Sequence, residues 1–191
     1  MNKKERIKAL LSALSASFNP EVVKLRGHKL PEHYPLIVVD DFESIEKTSQ
    51  ALKVLKALGF EQELERASVK KIRAGKGKLR GRRYKVKKSL LVVLSKPCPV
   101  MKALQNIQGV DVCLLQNLNT ELLAPGCHAG RIILLTESAF KDLTKPNGLI
   151  AKWLNSLTSV LKLKKLQRLV EIVSNQKQVK TVSVNNPDLK D

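Results

Sequence analysis

The sequence is poor in cysteine, in acidic residues and in long apolar runs. Its three cysteines, Cys98, Cys113 and Cys127, show no Cys-x-x-Cys spacing. An odd, scattered set argues against a disulfide framework and against a zinc site, and leaves reduced thiols as the default. No apolar run approaches the roughly 18 residues that span a bilayer. The first residues, Met1-Asn2-Lys3-Lys4-Glu5-Arg6, have neither the apolar core nor the small-residue cleavage site of a signal peptide. Asp and Glu number 17 against 35 Lys and Arg, a net charge of +18 over 191 residues. Hydrophobic residues make up 43 % of the chain, a globular rather than a disordered composition. Such an imbalance points to a polyanionic partner, nucleic acid first and an anionic membrane surface second.

The positive charge is concentrated. Between residues 66 and 88 stand twelve cations and no acid: Arg66, Lys70, Lys71, Arg73, Lys76, Lys78, Arg80, Arg82, Arg83, Lys85, Lys87 and Lys88. This one stretch carries two-thirds of the net charge. Like charges at that density repel, so the stretch is predicted to be an extended or loosely ordered arm that orders on a counter-charge. Gly75, Gly77 and Gly81 are interleaved with the cations and let the backbone approach a phosphate closely. Arginine supplies a bidentate fork for phosphate and lysine a point charge. The mixture suits the irregular backbone of folded RNA. Tyr84 is the only aromatic residue in the run, so stacking on several splayed bases is not the main mode.

Around the arm the pattern is that of an α/β domain. Ile7, Leu10, Leu11, Leu14 and Phe18 form a helical stripe over residues 3–17, ended by Asn19-Pro20. Residues 21–34 read as irregular, with a short strand at Val22-Val23. Four apolar runs read as buried strands: Leu36 to Val39, Leu90 to Leu94, Val110 to Leu115 and Arg131 to Leu135. A helix is predicted from about Phe42 to Leu58, capped by Asp40 or Asp41 and stopped by Gly59. A short helix is predicted after Pro99, a short helical turn over 117–123, and another helix from Thr136. Strands alternating with helices imply a parallel sheet covered on both faces. Beyond Asn147, a stripe of Ile150, Trp153, Leu154, Leu157, Val160 and Leu161 continues through Val173 and predicts a helix that packs on the sheet or on a partner. The tail from Ser174 is polar. The predicted organisation is a core over 1–146 with its arm at 66–88, and an extension over 147–191.

Motifs for chemistry are scarce. Gly75-Lys76-Gly77 lacks the preceding strand and the spacing of a phosphate-binding P-loop, and the third glycine of a dinucleotide fingerprint falls one residue late at Gly81. Cys127-His128 are adjacent, and adjacent side chains rarely face each other as nucleophile and base. Cys98 and Cys113 read as small core residues. His28 and His33 fall on an irregular, exposed stretch and are weak evidence for a metal. Asp40-Asp41 end a strand where α/β enzymes place catalytic carboxylates, but a helix cap explains them as well. Arg131, at the start of the fourth strand, can reach an anion. No catalytic residue, cofactor or metal site is predicted.

Several stretches together resemble one family. Arg73-Ala74-Gly75-Lys76-Gly77-Lys78-Leu79-Arg80-Gly81-Arg82-Arg83-Tyr84 is similar to the basic signature of the L-four family of large-subunit ribosomal proteins, in its archaeal and eukaryotic branch. Arg26-Gly27-His28, Asp40-Asp41-Phe42, Asn117-Leu118-Asn119, Leu123-Ala124-Pro125-Gly126 and Thr136-Glu137-Ser138-Ala139 fit in order, and the resemblance covers about residues 2–143. It implies a three-layer α/β/α core with a four-stranded parallel sheet in the order 1-4-2-3. It also implies a structural, non-enzymatic role in the cytoplasmic large subunit, binding and organising its rRNA during assembly. The implied rRNA contacts are Lys70, Lys71, Arg73, Lys76, Lys78, Arg80, Arg82, Arg83, Lys85, Lys87, Lys88 and Arg131, with Gly75, Gly77 and Gly81 at the phosphates. Neighbouring ribosomal proteins are further expected partners, through the helix at 147–173; no membrane and no small-molecule substrate is expected. By this resemblance the sequence is expected to start just after the family's N-terminal segment and long tunnel loop. Where relatives carry paired glycines, it has Gly126-Cys127, and a positive φ at Cys127 would be strained. The competing readings are an RNA-processing enzyme with a basic docking arm, and a peripheral membrane protein.

Overall fold

The computed structural model describes residues 2–144 and residue 150. In chain order its helices are α1 (Lys3–Phe18), α2 (Pro20–Leu25), α3 (Thr48–Leu55), α4 (Glu61–Ser68), α5 (Val100–Gln105), α6 (Thr120–Leu123) and α7 (Glu137–Thr144). Its strands are β1 (Leu36–Val38), β2 (Lys71–Ile72), β3 (Tyr84–Lys85), β4 (Leu91–Leu94), β5 (Asp111–Leu114) and β6 (Ile133–Thr136). Apart from Ile150, which is buried in the same core cluster as Leu10, Leu14, Ala139 and Leu143, the predicted helix over 147–173 lies outside the described residues.

Four strands form one parallel sheet in the order β1-β6-β4-β5, and β2 and β3 form a separate antiparallel hairpin. Counting only the strands of the large sheet, the spatial order is first, fourth, second, third. Because successive side chains along a strand point to opposite faces, each apolar run divides between two cores. Leu36, Val38, Val92, Leu94 and Leu134 join Ala51, Val54 and Leu55 of α3 and Val100, Ala103 and Leu104 of α5. Ile37, Leu91, Val93, Ile133 and Leu135 join Leu10, Leu14 and Phe18 of α1, Leu123 of α6, and Ala139 and Leu143 of α7. A strand with both faces covered must be apolar throughout, which is why Leu91 to Leu94 are uniformly buried. Burying each such side chain contributes about 1.5–3 kcal/mol.

The helical segments differ from expectation in three places. Val22 and Val23 lie in α2, not in a strand; Asn19 accepts from the Glu21 N–H and Pro20 occupies the first turn, a strong helix start. The helix expected over 42–58 is broken. Asp40–Ser44 winds into a 3-10 turn that buries Phe42, Ile45 is extended, and α3 begins only at Thr48. Gly59 takes φ +85°, as a helix-ending glycine does, but the chain resumes at once in α4. Asp40 is a cap, although not of the helix that follows it: its Oδ1 accepts from the Ser138 N–H at 2.9 Å, at the start of α7. An aspartate there also faces the positive end of the α7 dipole.

Gly109 joins α5 to β5 at φ +80°, and a Cβ there would stand 2.6 Å from the Lys87 carbonyl oxygen and 2.9 Å from the Ala67 Cβ. Its own carbonyl accepts from Ser89 N–H at 2.8 Å. Both the backbone conformation and the space require glycine. Gly109→Ala is expected to destabilise the domain by about 2–4 kcal/mol, from left-handed strain plus overpacking, read as a lowered midpoint in urea unfolding.

Candidate nucleic-acid interface

The basic arm leaves the domain at the end of α4 and returns to it at β4. It is more ordered than expected. β2 and β3 pair Lys71 with Lys85 and Ile72 with Tyr84, and Arg73 N–H donates to the Arg83 carbonyl at 2.8 Å. A 3-10 turn over Lys76–Arg80 closes the tip, where the N–H groups of Gly81 and Arg82 both reach the Gly77 carbonyl. Gly75 and Gly81 stand at φ +78° and +77° on either side of that turn. Local backbone hydrogen bonds thus hold a hairpin in spite of the charge. Every residue from 68 to 88 is exposed except Arg73 and Gly77, which are half-buried. Among the described residues, only Arg66 and Lys88 of the twelve cations are in ion pairs. The remaining ten present cationic charge without an acid to neutralise it.

The arm's two ends are tied down by two ionic clusters, one built on the buried Glu63 and the other on the buried Arg131. In the first, Glu63 is fully buried on α4. Its carboxylate accepts from Arg66 Nη2 at 2.6 Å and Nε at 2.8 Å, and from Lys29 N–H at 3.0 Å, and lies 2.8 Å from His28 Nδ1. Arg66 Nη2 also donates to the Lys88 carbonyl at 3.0 Å, linking the residue that opens the arm to the one that closes it. Burial alone would push the Glu63 carboxyl up; the hydrogen bonds from Arg66, His28 and Lys29 outweigh it and bring the pKa to about 2. His28, expected on an exposed stretch, is therefore a buried partner of Glu63.

The second cluster corrects the reading of Arg131. It is not available to an external anion: only 1 % exposed, it is among the largest fully buried side chains. Nε donates to the Ser89 carbonyl at 2.8 Å, Nη1 to the Leu122 carbonyl at 3.0 Å, and Nη2 to the Leu90 carbonyl at 3.1 Å and to Asp111 Oδ2 at 2.6 Å. Asp111 in turn accepts from Lys88 Nζ at 2.7 Å. Burial lowers the Arg131 pKa against the pull of Asp111. For Asp111, burial acts upward, but Lys88 and Arg131 prevail and hold the carboxyl below its ordinary range. Lys88, Ser89 and Leu90 are thus gripped in succession where the arm enters β4.

The other singled-out residues stand apart. Cys127 is exposed at φ +63°, beside Gly126 at φ +74°, so the strained conformation foreseen for it is present. The neighbouring carbonyls of Pro125 and His128 accept from the Arg26 guanidinium, which ties this turn to α2. Cys113 is buried, and burial pushes its thiol up to about 11. Cys98 is only half-buried; burial and the facing Glu43 carboxylate, 3.0 Å away, push its thiol to about 11 as well. Neither is the low-pKa thiol that nucleophilic chemistry needs. Among the described residues no cluster of three or more His, Cys, Asp or Glu could hold a metal ion, and no helix is long and apolar enough to cross a membrane.

The profile of the Ribosomal protein L4/L1 family matches residues 1–146. The chain belongs to this family. It is 49 % identical over 144 residues to the large ribosomal subunit protein uL4 of Methanospirillum hungatei, an alignment covering 75 % of this chain and 57 % of the relative. The uL4 of Methanococcus aeolicus is 49 % identical over 148 residues, 76 % of this chain and 59 % of the relative. That of Archaeoglobus fulgidus is 46 % identical over 144 residues, with coverage of 75 % and 57 %. The chain therefore spans less than three-fifths of the length of the curated relatives it matches. The family region contains the sheet, both ionic clusters and the whole hairpin.

Sequence reasoning missed Glu63 and Asp111, because each holds a group far along the chain: Lys29 to Glu63 spans 34 positions and Lys88 to Asp111 spans 23. The only available signal was that both are acids flanking an acid-free arm. Removing Glu63 leaves Arg66 and His28 without their carboxylate, and Glu63→Ala is expected to cost about 3–5 kcal/mol. The pH dependence has a definite sign. Glu63 is lowered from an ordinary value near 4.5 to about 2 on folding, so its contribution is complete above about pH 4.5 and is lost as pH falls toward 2. Thermal melts between those pH values are expected to show a steeper loss of Tm for the parent chain than for Glu63→Gln.

Proposed function

We propose that this chain is a structural constituent of the large ribosomal subunit that binds and organises its rRNA through the hairpin arm. The observation that carries this reading is an exposed, acid-free cationic hairpin rooted in buried ion pairs of a family whose curated members are named as large-subunit proteins. On this reading Lys70, Lys71, Arg73, Lys76, Lys78, Arg80, Arg82, Arg83, Lys85, Lys87 and Lys88 meet phosphates, and the backbone at Gly75, Gly77 and Gly81 lies close to them. Arg131 is a positioning residue that sets the root of the arm. The chain divides into a core unit over 1–146 and an extension over 147–191 directed to neighbouring ribosomal proteins. The sheet order first-fourth-second-third is in keeping with the core this family is expected to have. No catalytic step is assigned. The work is binding in the cytoplasmic large subunit.

The test is the salt dependence of binding to a large-subunit rRNA transcript. If about six cations engage phosphate, affinity falls roughly a thousandfold between about 50 and 200 mM salt. Replacing Arg80, Arg82 and Arg83 together by Glu is expected to weaken binding and to flatten the logarithmic salt slope by about three. An unchanged slope would remove the arm as the main contact.

A further inference from the structure

The hairpin is not uniformly cationic. Among the described residues six large hydrophobic side chains are exposed, and five of them, Val69, Ile72, Leu79, Tyr84 and Val86, lie on the arm. Ile72 is 63 % and Tyr84 52 % exposed, and the two are directly opposite each other across the β2–β3 pair. Alternation along the strands places Lys71 and Lys85 on the other face. The Arg73–Arg83 backbone bond makes the next pair a hydrogen-bonded one, so Ile72 and Tyr84 are the closer, non-hydrogen-bonded pair. The Arg83 guanidinium stands over the Tyr84 ring, 5.9 Å from its centroid. One face of this ribbon is thus lysine, and the other is an apolar platform edged by arginine.

A two-stranded ribbon cannot bury that platform against itself. The occupant is chosen by charge. A protein surface covering Ile72 and Tyr84 would have to desolvate the flanking cations, which have no acids of their own. RNA offers apolar base faces within a few ångströms of phosphate oxygens, so one partner satisfies both kinds of side chain. We propose that Ile72 and Tyr84 form a docking platform for one unpaired nucleobase of the rRNA, with the Tyr84 ring stacked on the base and Arg83 and the lysine face holding adjacent phosphates. Tyr84 is then a specificity-determining residue, and the arm distinguishes RNA with an exposed base from a mere polyanion. This rests on the reading of the arm as an rRNA-binding element.

The full chain is titrated with the large-subunit rRNA transcript and, separately, with heparin, a polyanion without bases, over the same salt range. Tyr84→Ala is expected to lose about tenfold or more in affinity for the transcript. Its salt slope and its affinity for heparin remain those of the parent, and Tyr84→Phe keeps the parent affinity. Circular dichroism melts check that the variants fold alike. Equal transcript affinity of Tyr84→Ala and parent overturns the platform. So does an equal loss on heparin, since the ring would then act only on the shape of the hairpin. Absence of salt-dependent binding by the parent chain fells the functional reading itself, and is told apart because it precedes any effect of Tyr84.

Discussion

Everything in this structure turns on anchoring twelve like charges that cannot anchor one another. Repulsion keeps the arm from collapsing onto the domain, and no acid within it offers relief. The acids are placed at its root instead. Glu63 receives Arg66, which in turn holds the Lys88 carbonyl. Asp111 receives Lys88 and Arg131, and Arg131 holds the carbonyls of Ser89 and Leu90. A buried ion pair is seldom a net source of stability when compared with an apolar replacement. Its value here is direction: two ionic clasps fix both ends of a segment whose own sequence opposes compaction.

The α/β domain supplies the rigid mount. β4, where the arm returns, is an inner strand with β6 and β5 on its two sides, and its four residues are buried on both faces. Ser89 N–H donates to Gly109 carbonyl and Asp111 N–H to Leu90 carbonyl, so the sheet ladder begins immediately past the last cation. There is no flexible linker between core and arm on that side. The arm's tip, by contrast, depends on a few backbone bonds around Gly77 and on glycines that tolerate positive φ. A stiff root and an adaptable tip suit a surface that must fit an irregular polyanion.

What was legible in the sequence followed from local pattern. The four apolar runs read as sheet strands because strands buried on both faces carry no polar alternation. The basic signature carried the family. What was not legible came from pairing at a distance. Asp40 caps α7, 98 residues on, where the sequence offered a nearer helix. His28 looked exposed because Glu63 lies 35 residues away. Arg131 looked like an anion contact because nothing in its neighbourhood shows that four carbonyl and carboxylate partners converge on it. The hairpin was hidden by its charge: repulsion argued for an extended or loosely ordered arm, whereas the Ile72–Tyr84 pair and the glycine-flanked turn order it.

The central claim is that the arm, rooted by buried ion pairs, is what attaches this chain to large-subunit rRNA. Sedimentation after a moderate salt wash tests it most directly, comparing the parent chain with one in which the exposed arm cations are replaced by glutamine. The account predicts that the parent travels with the large ribosomal subunit while the neutralised chain, although folded, remains in the supernatant. Equal retention of both on the subunit would contradict it.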